Sequence, residues 1–471
     1  MADKSYEAII IGAGPGGYPA GIRLGQLGVK TLVVEKEYYG GVCLNWGCIP
    51  SKALIAAANT YLDMQQGVSA MGITAKDVSI DIDALQDWKE GIVKKLTGGV
   101  QGLLKANKAD SMMGTAKLVS KNTVEVTKPD GGKETIEATK GIVIGTGAKV
   151  IELPGMEIDG ETVISAREAV SLREAKGTMV VVGGGIIGME LGMVYQKLGM
   201  KVVVVELLPQ ILTGVDRDLV RVVQKAFEKT GGEIHTEAKV EKIDKSGGKA
   251  KVTVATKDGE SFEIDADKVL MAVGFKPNSD GLGLEDVGVK TDDKGHILVD
   301  ERLETNVKGV YAIGDVIGAP YLAHKATKEG EIVAEVIAGH KAAVDWRAMP
   351  SAIFTEPEIA TVGLTEEAAK EAGREVKIGK FPFSASGRAM AVRHTDGFIK
   401  TIVDAEDHEV LGVSIVGPEA SDLISEATLA IEMCAFAEDV HLTIHPHPTL
   451  GEAMMEGFKH ALGEAVHILN R

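Results

Sequence analysis

The chain has 471 residues, 45% of them hydrophobic and 25% charged, with a formal net charge of −17 at pH 7. That length exceeds one hydrophobic core and predicts about three domains, while the acidity disfavours nucleic acid and anionic membranes and favours a basic protein partner. No apolar run reaches the roughly 18 residues that a membrane helix requires, and no basic flank with an apolar stretch opens the chain, so the expectation is a cytoplasmic protein.

Residues 6 to 35 read strand, glycine turn, helix, strand: Ala8-Ile-Ile-Ile11, Gly12-Ala-Gly14-Pro-Gly-Gly17, a helical stretch to Leu27, and Leu32-Val-Val-Glu35. In such a turn the first glycine permits tight reversal, the second lets backbone approach a pyrophosphate, and the third lets helix pack on strand. Phosphates then sit at the helix N-terminus, and Glu35 can bind ribose hydroxyls. Pro19 removes a helical N–H and predicts a kink in the first turns.

Two of the three cysteines follow, five residues apart, in Gly41-Val-Cys43-Leu-Asn-Trp-Gly-Cys48-Ile-Pro-Ser-Lys52. Three cysteines make no disulfide framework, so the close pair is either a redox device or two ordinary buried thiols. Cys48 precedes an alanine-rich helical run, which puts its sulfur at a helix N-terminus beside Lys52, where a thiolate is stabilised. Cys43, nearer the strand end and the glycine turn, would face a substrate. Cys434 stands alone in a helical segment and reads as packing.

Residues 48 to 66 and 83 to 105 read as helices, and 112 to 144 as strands around Pro129-Asp-Gly-Gly132, closing on Gly145-Thr-Gly-Ala148. The opening pattern then returns. Gly12, Gly14, Gly17, Leu27, Gly28 and Glu35 recur 171 residues later as Gly183, Gly185, Gly188, Leu198, Gly199 and Glu206, the register of two copies of one nucleotide-binding unit. Glu206 argues for NAD over NADP, because a carboxylate repels a 2′-phosphate. Two dinucleotide sites in one chain imply a relay of flavin and nicotinamide. Glu190, two residues past the third glycine, is expected to point off the turn toward solvent. Residues 239 to 273 are charged and alternating, with an Asp258-Gly259 hairpin signal.

After Pro277 the text is loop-like until Val310-Tyr-Ala-Ile-Gly-Asp315, where Asp315 reads as a helix cap before a helix from about Ala323 to Ala338. From Pro350 on, strands (399 to 404, 410 to 416) and helices (422 to 436, 449 to 465) read as a separate α+β domain. In His445-Pro-His447-Pro-Thr449-Leu-Gly-Glu452 each histidine precedes a proline and is pushed to extended geometry. The pair is either ordinary or the base that dithiol chemistry needs. Thr449-x-x-Glu452 fits a capping box, so Glu452 starts a helix, holds the His447 imidazole, or does both.

Together these motifs resemble the pyridine nucleotide disulfide oxidoreductases, over residues 6 to 468, and within them the branch that oxidises dihydrolipoyl groups. The resemblance rests on the Gly41 to Lys52 stretch, both glycine turns, Tyr311-Ala-Ile-Gly-Asp315, Leu322-Ala-His-Lys-Ala326 and His445 to Glu452. It implies an α/β fold of two Rossmann-like dinucleotide-binding domains, for FAD and NAD, plus a C-terminal α+β dimerisation domain. The implied division is an FAD domain with the redox pair at 1–150, an NAD domain at 151–278, a segment completing the FAD site at 279–349, and an interface domain at 350–471.

By the same resemblance Cys43 is the interchange thiol, Cys48 the flavin-contacting thiol, and His447 a base oriented by Glu452 and supplied by the partner of a homodimer. Lys52 and Glu190 form an ion pair beside the flavin. Gly12, Gly14, Gly17, Glu35, Gly114, Thr146, Gly147, Ala148, Asp315, Leu322, Ala323 and His324 belong to the flavin side, and Gly183, Gly185, Gly188, Glu206 and Gly274 to the nicotinamide side. No metal is implied. The implied partners are lipoyl domains and the E2 subunit-binding domain of 2-oxo acid dehydrogenase complexes, with a glycine cleavage role left open. Trp46 and Pro446 depart from the family pattern beside catalytic groups. Glu206 argues against a glutathione reductase, the ending His-Ile-Leu-Asn-Arg against a mercuric reductase, and Cys43, Cys48 and His447 against a transhydrogenase or a non-catalytic flavoprotein.

Overall fold

Strand Lys4–Ile11, helix Gly17–Gln26 and strand Thr31–Glu35 form the first βαβ unit in a computed structural model that describes residues 3 to 470. Isoleucine, leucine and valine fill these strands because both faces of a parallel sheet are covered. The sheet runs Ala109–Met113, Thr31–Glu35, Lys4–Ile11, Lys133–Ile144, and Val310–Ala312 adds to its far side in parallel. The front half of Lys133–Ile144 also pairs antiparallel with Thr123–Thr127, which pairs with Thr115–Ser120.

A second parallel sheet orders Glu233–His235, Lys201–Val205, Thr178–Val182, Lys268–Met271 and Val163–Ile164. The charged alternating region forms the antiparallel strands Ala238–Ser246, Lys249–Thr256 and Ser261–Ala266, turning at the expected Asp258-Gly259. Where the chain leaves the first unit and returns to it, Ala148–Val150 pairs antiparallel with Phe275–Pro277. The third sheet is antiparallel, in the order Ser351–Ile353, Glu358–Gly363, Val410–Gly417, Phe398–Asp404, Val376–Pro382. Helices Ala420–Glu432 and Glu452–Ala461 share its core through Ile424, Met454 and Phe458.

Helix Cys48–Leu62 lies where the three meet. Leu54 and Ala58 share one core with Met189, Leu191 and Val194 of helix Ile186–Lys197 and with Ile353, Phe398 and Val416 of the third sheet. Cys48, which opens this helix, is therefore held from both sides rather than on a surface loop.

Four expectations are corrected. Helix Gly17–Gln26 runs unbroken through Pro19, whose missing N–H falls in the first turn, where N–H groups lack intrahelical partners anyway. The hydroxyl of Thr327 donates to the Pro15 carbonyl, 2.9 Å away, in place of that N–H. The stretch 422 to 436 is a helix only to Glu432: Cys434 lies past its end at φ 53°, and a short helix restarts at Ala437–Leu442, with the Phe436 N–H donating to Asp439. The last helix is Glu452–Ala461, shorter than 449 to 465, because the prolines hold the chain extended before it and Gly463, at φ 77°, ends it. Asp315 lies within a short 3-10 turn, Gly314–Ile317, and does not cap the helix Ala323–Ala338, whose N-cap is Leu322.

Candidate active site

The two glycine turns superimpose in their chemistry. Gly12 and Gly183 have φ near 102° and 101°, and a Cβ on either would lie 2.3 or 2.4 Å from a carbonyl of the neighbouring strand end, at Gly145 and Ala272. A Cβ on Gly17 or Gly188 would meet the Gly12 or Gly183 carbonyl at 1.9 or 2.1 Å. The middle glycines are the open ones: Gly185 has nothing within 4 Å of a built Cβ, and Gly14 only Gly41 Cα at 4.0 Å. That is the side from which a pyrophosphate would approach the helix N-terminus.

The acids recur as well. Glu35 accepts from the N–H of Ala13 at 2.7 Å and of Glu37 at 2.8 Å; Glu206 accepts from Gly184 at 2.7 Å and Leu208 at 2.8 Å. Both carboxylates are buried, and each ties its glycine turn to the end of the second strand. Their remaining lone pairs suit ribose hydroxyl donors.

Gly41–Asn45 forms a short helix whose Asn45 amide donates to the Tyr39 and Gly41 carbonyls at 3.0 and 2.8 Å. It packs directly on the first glycine turn, since a Cβ on Gly41 would sit 2.7 Å from Gly14 Cα. Cys43 lies in this helix and Cys48 opens the next. Both are free thiols and they are hydrogen-bonded to each other. The bond from the Cys43 thiol, aided by Lys52 and the helix N-terminus, lowers Cys48 to about 7 against the pull of burial. The same bond, with burial, drives Cys43 up. One sulfur is thus poised as thiolate and the other as thiol.

Lys52 Nζ lies 2.7 Å from Glu190 Oε2 and 4.4 Å from the centre of the Phe354 ring. Glu190 is 3% exposed, which corrects the expectation that it faces solvent. Residue 190 falls on the buried face of a helix packed against helix Cys48–Leu62, and its other oxygen takes the Phe354 N–H at 2.8 Å. Trp46 meets Tyr38 edge-on at 5.5 Å, and the Arg167 guanidinium lies 4.3 Å from its ring centre.

The Asp315 carboxylate has no side-chain hydrogen bond among the described residues, and burial pushes its pKa up despite Lys325. It suits a neutral hydroxyl donor such as a ribityl chain. Its loop is pinned by Glu329, which takes the Gly314 N–H at 2.7 Å and pairs with Lys325 of the Leu322–Ala326 stretch at 2.9 Å, both buried. Their signal was a Lys and a Glu four apart on an otherwise apolar helix face. Leu322 and Ala323 begin that helix, and His324 Nε2 reaches the Pro350 carbonyl at 2.8 Å.

Thr146 donates to the Asn278 carbonyl at 2.8 Å, and Gly147 accepts from the Asn278 N–H at 2.9 Å. Ala148 begins the ladder between the units. Gly114 donates to the Glu35 carbonyl, and Gly274 accepts from Ile151, so both sit where strands end beside the acids and the crossing. Tyr18, unremarked in sequence, packs in the same cluster as Cys43 and lines a cleft of about 1120 Å³ with Ile22, Arg23 and Glu335.

His447 Nδ1 lies 2.8 Å from Glu452 Oε1, while Glu452 Oε2 takes the Thr449 N–H at 2.8 Å, so the acid serves both roles. Burial opposes it, yet the Thr449 N–H and the His447 ring hold the Glu452 carboxyl below its usual range. The His447 side chain is 81% exposed and makes no hydrogen bond to Cys43 or Cys48 of its own chain. Leu442, Ile444, Val466 and Leu469 are exposed apolar residues of the same region. The His445 side chain is instead 6% exposed, held between the Thr443 carbonyl and Glu426, each at 2.8 Å, which makes it structural.

The description "Pyridine nucleotide-disulphide oxidoreductase" matches residues 6–330, and the dimerisation domain of that family matches residues 349–457. A dihydrolipoyl dehydrogenase of Haloferax volcanii is 48% identical, with 99% of this chain and 98% of that protein covered. One of Geobacillus stearothermophilus is 46% identical at 99% and 98% coverage. Among solved structures, LpdA of Mycobacterium tuberculosis superimposes with a TM-score of 0.89 at 25% identity, covering 96% of this chain and 99% of that one. The HOCl-induced flavoprotein disulfide reductase RclA of Escherichia coli gives 0.86 at 26% identity, with 96% and 99% covered.

Proposed function

The chain belongs to the pyridine nucleotide-disulphide oxidoreductases, and from that premise we propose how its residues carry out the oxidation of dihydrolipoamide to lipoamide with reduction of NAD to NADH. The activity is that of an FAD-dependent, NAD-linked dihydrolipoyl dehydrogenase. One observation carries the residue assignment: Cys48, whose thiol is lowered beside the Cys43 thiol, opens the helix that Lys52 ties to Glu190 of the second nucleotide unit.

Gly12, Gly14, Gly17, Glu35 and Asp315 would hold FAD, and Gly183, Gly185, Gly188 and Glu206 would hold NAD. When bound, FAD would supply the acceptor for the electron pair of the thiols and NAD the onward hydride acceptor. In the oxidised protein Cys43 and Cys48 share a disulfide. His447, fixed by Glu452, takes the proton of one dihydrolipoyl thiol, and the resulting thiolate attacks Cys43 Sγ. A substrate–Cys43 bond forms, the Cys43–Cys48 bond breaks, and Cys48 leaves as the low-pKa thiolate. The second substrate thiol closes the lipoyl disulfide and releases Cys43, so two electrons and two protons pass from substrate to protein.

Because His447 is exposed and unattached to its own thiols, it serves the site of a second copy, in a homodimer built on residues 350–471. Residues 1–150 and 279–349 form the FAD unit and 151–278 the NAD unit. The acidic chain suits a basic binding domain of a 2-oxo acid dehydrogenase core and lipoyl domains as partners, in the cytoplasm. No helix among the described residues is long and apolar enough to cross a membrane.

The test is a steady-state comparison of dihydrolipoamide with NAD against oxidised glutathione and mercuric ion with NADH or NADPH. Turnover with dihydrolipoamide alone is expected; faster turnover with either alternative would overturn the reading.

A further inference from the structure

Tyr321 stands just before Leu322, the N-cap of helix Ala323–Ala338, and its hydroxyl lies 2.9 Å from His296 Nε2. His296 Nδ1 in turn lies 2.9 Å from Asp292 Oδ2. A carboxylate at Nδ1 fixes the ring proton there and leaves Nε2 to accept from the phenol, so the lone pairs of the Tyr321 oxygen face an outside donor. We propose that Tyr321, oriented by His296 and Asp292, accepts a ribose hydroxyl of the nicotinamide half of NAD. The proposal rests on the reading of Gly183, Gly185 and Gly188 as the NAD turn.

Contacts on both sides place the ring. The chain leaves strand Lys268–Met271 with the Ala272 carbonyl 2.4 Å from a Cβ built on Gly183, so the residues that follow pass the carboxyl end of the second sheet, where such folds bind their ligands. Phe275, three residues on, meets the Tyr321 ring edge to face at 6.4 Å and 79°. Its strand Phe275–Pro277 pairs with Ala148–Val150, so Tyr321 lies where the two units cross. On the other side the Ile297 N–H donates to the Val316 carbonyl at 2.9 Å, and a Cβ on Gly318 would lie 3.7 Å from the His296 ring. The histidine is thereby tied to the turn that carries Asp315. Glu206, at the end of the second strand, suits the adenosine ribose, which leaves the nicotinamide half for the Asp315 side.

The turn that carries His296 holds without the tyrosine. Asp292 Oδ1 accepts from the N–H groups of Lys294 and His296 at 2.9 and 2.8 Å, and the Asp292 N–H donates to the His296 carbonyl at 2.9 Å. The His296 ring first, and then these N–H groups, keep the Asp292 carboxyl below its usual range against burial, so it remains a charged acceptor. Burial, then the charges of Asp315 and Asp292, push the Tyr321 hydroxyl up, so it keeps its proton and donates it to the imidazole. Tyr321 and Phe275 are only half-buried, so neither ring is sealed in the core.

The test is equilibrium titration calorimetry of the FAD-loaded protein with NAD and, separately, with AMP, which carries only the adenosine half. In Y321F, which keeps the ring and its contact with Phe275, the Kd for NAD is expected to rise about 3–10-fold, the loss of one hydrogen bond, while the Kd for AMP holds. In steady state the KM for NAD is expected to rise by the same factor, with kcat and the KM for dihydrolipoamide unchanged. H296L, which leaves the hydroxyl unoriented, is expected to weaken NAD binding in the same direction and by less. An unmoved NAD affinity in either variant, or an AMP affinity that falls in parallel as a merely structural change would produce, would overturn the proposal. An AMP affinity unchanged in E206A would remove the reading of the second turn, and the proposal with it, by a separate result.

Discussion

Lys52 Nζ and Glu190 Oε2 are 2.7 Å apart, so one ion pair joins the first turn of the thiol-bearing helix to the helix that follows the second glycine turn. The same carboxylate takes the Phe354 N–H, which brings the start of the third sheet to the same point. Cys48, lowered to about 7 chiefly by the Cys43 thiol and next by Lys52, is the group this arrangement tunes. Lys52→Met is expected to raise the pH at which Cys48 becomes thiolate by on the order of one unit. Alkylation rate against pH on the reduced protein measures it, and an unmoved midpoint counts against Lys52.

His447→Gln removes the group proposed to take the substrate proton while leaving Glu452 on Thr449. Turnover with dihydrolipoamide is expected to fall by about 10²–10⁴-fold, the range for a lost general base. FAD content and unfolding temperature are expected to hold, since the ring is largely exposed. Near-normal turnover rejects the role.

Glu206→Ala is expected to do two things at once. It removes the charge that repels a 2′-phosphate, so the preference for NADH over NADPH weakens. It also strips the Gly184 and Leu208 N–H groups of their acceptor, at about 1–3 kcal/mol. A lowered unfolding midpoint with an unchanged cofactor ratio would leave Glu206 structural only.

Lys400 is 4% exposed and bridges Asp216 at 2.9 Å and Asp218 at 2.8 Å, clamping the third sheet to the start of helix Arg217–Lys229. Lys400→Met is expected to cost about 2 kcal/mol in chemical denaturation, below the value for a fully buried pair because Asp218 is partly exposed. Burial opposes it, but Lys400 and Lys380 hold the Asp218 carboxyl low. A depressed folded-state value stabilises the protein above about pH 4 and is lost as pH falls through it. The variant is expected to show a weaker acid dependence; an identical stability profile would remove the clamp.

Most of the fold was legible because its signals are local. The glycine turns, each within one copy of the repeated unit, and the Asp258-Gly259 hairpin depend on residues near one another in the chain, and each appears where expected. Some errors lay in local helix ends, and others where a neighbour distant in sequence settled the outcome. Pro19 does not bend its helix because it falls in the first turn, where Thr327 caps the free carbonyl, and Glu190 is buried because Lys52 and Phe354 complete its hydrogen bonds.

The sequence by itself determined the chemistry: two thiols five apart before a helix, two phosphate-binding turns with their acids, and a histidine with its carboxylate. Those are matters of residue type and short spacing, which backbone geometry translates directly. Only the tertiary structure decided how charge is shared among them. Whether Glu190 faces water or a lysine, and whether the C-terminal tail reaches Glu456, depend on burial and on contacts between separate elements. Electrostatic energies change steeply with distance and solvent access, and neither can be read along a chain.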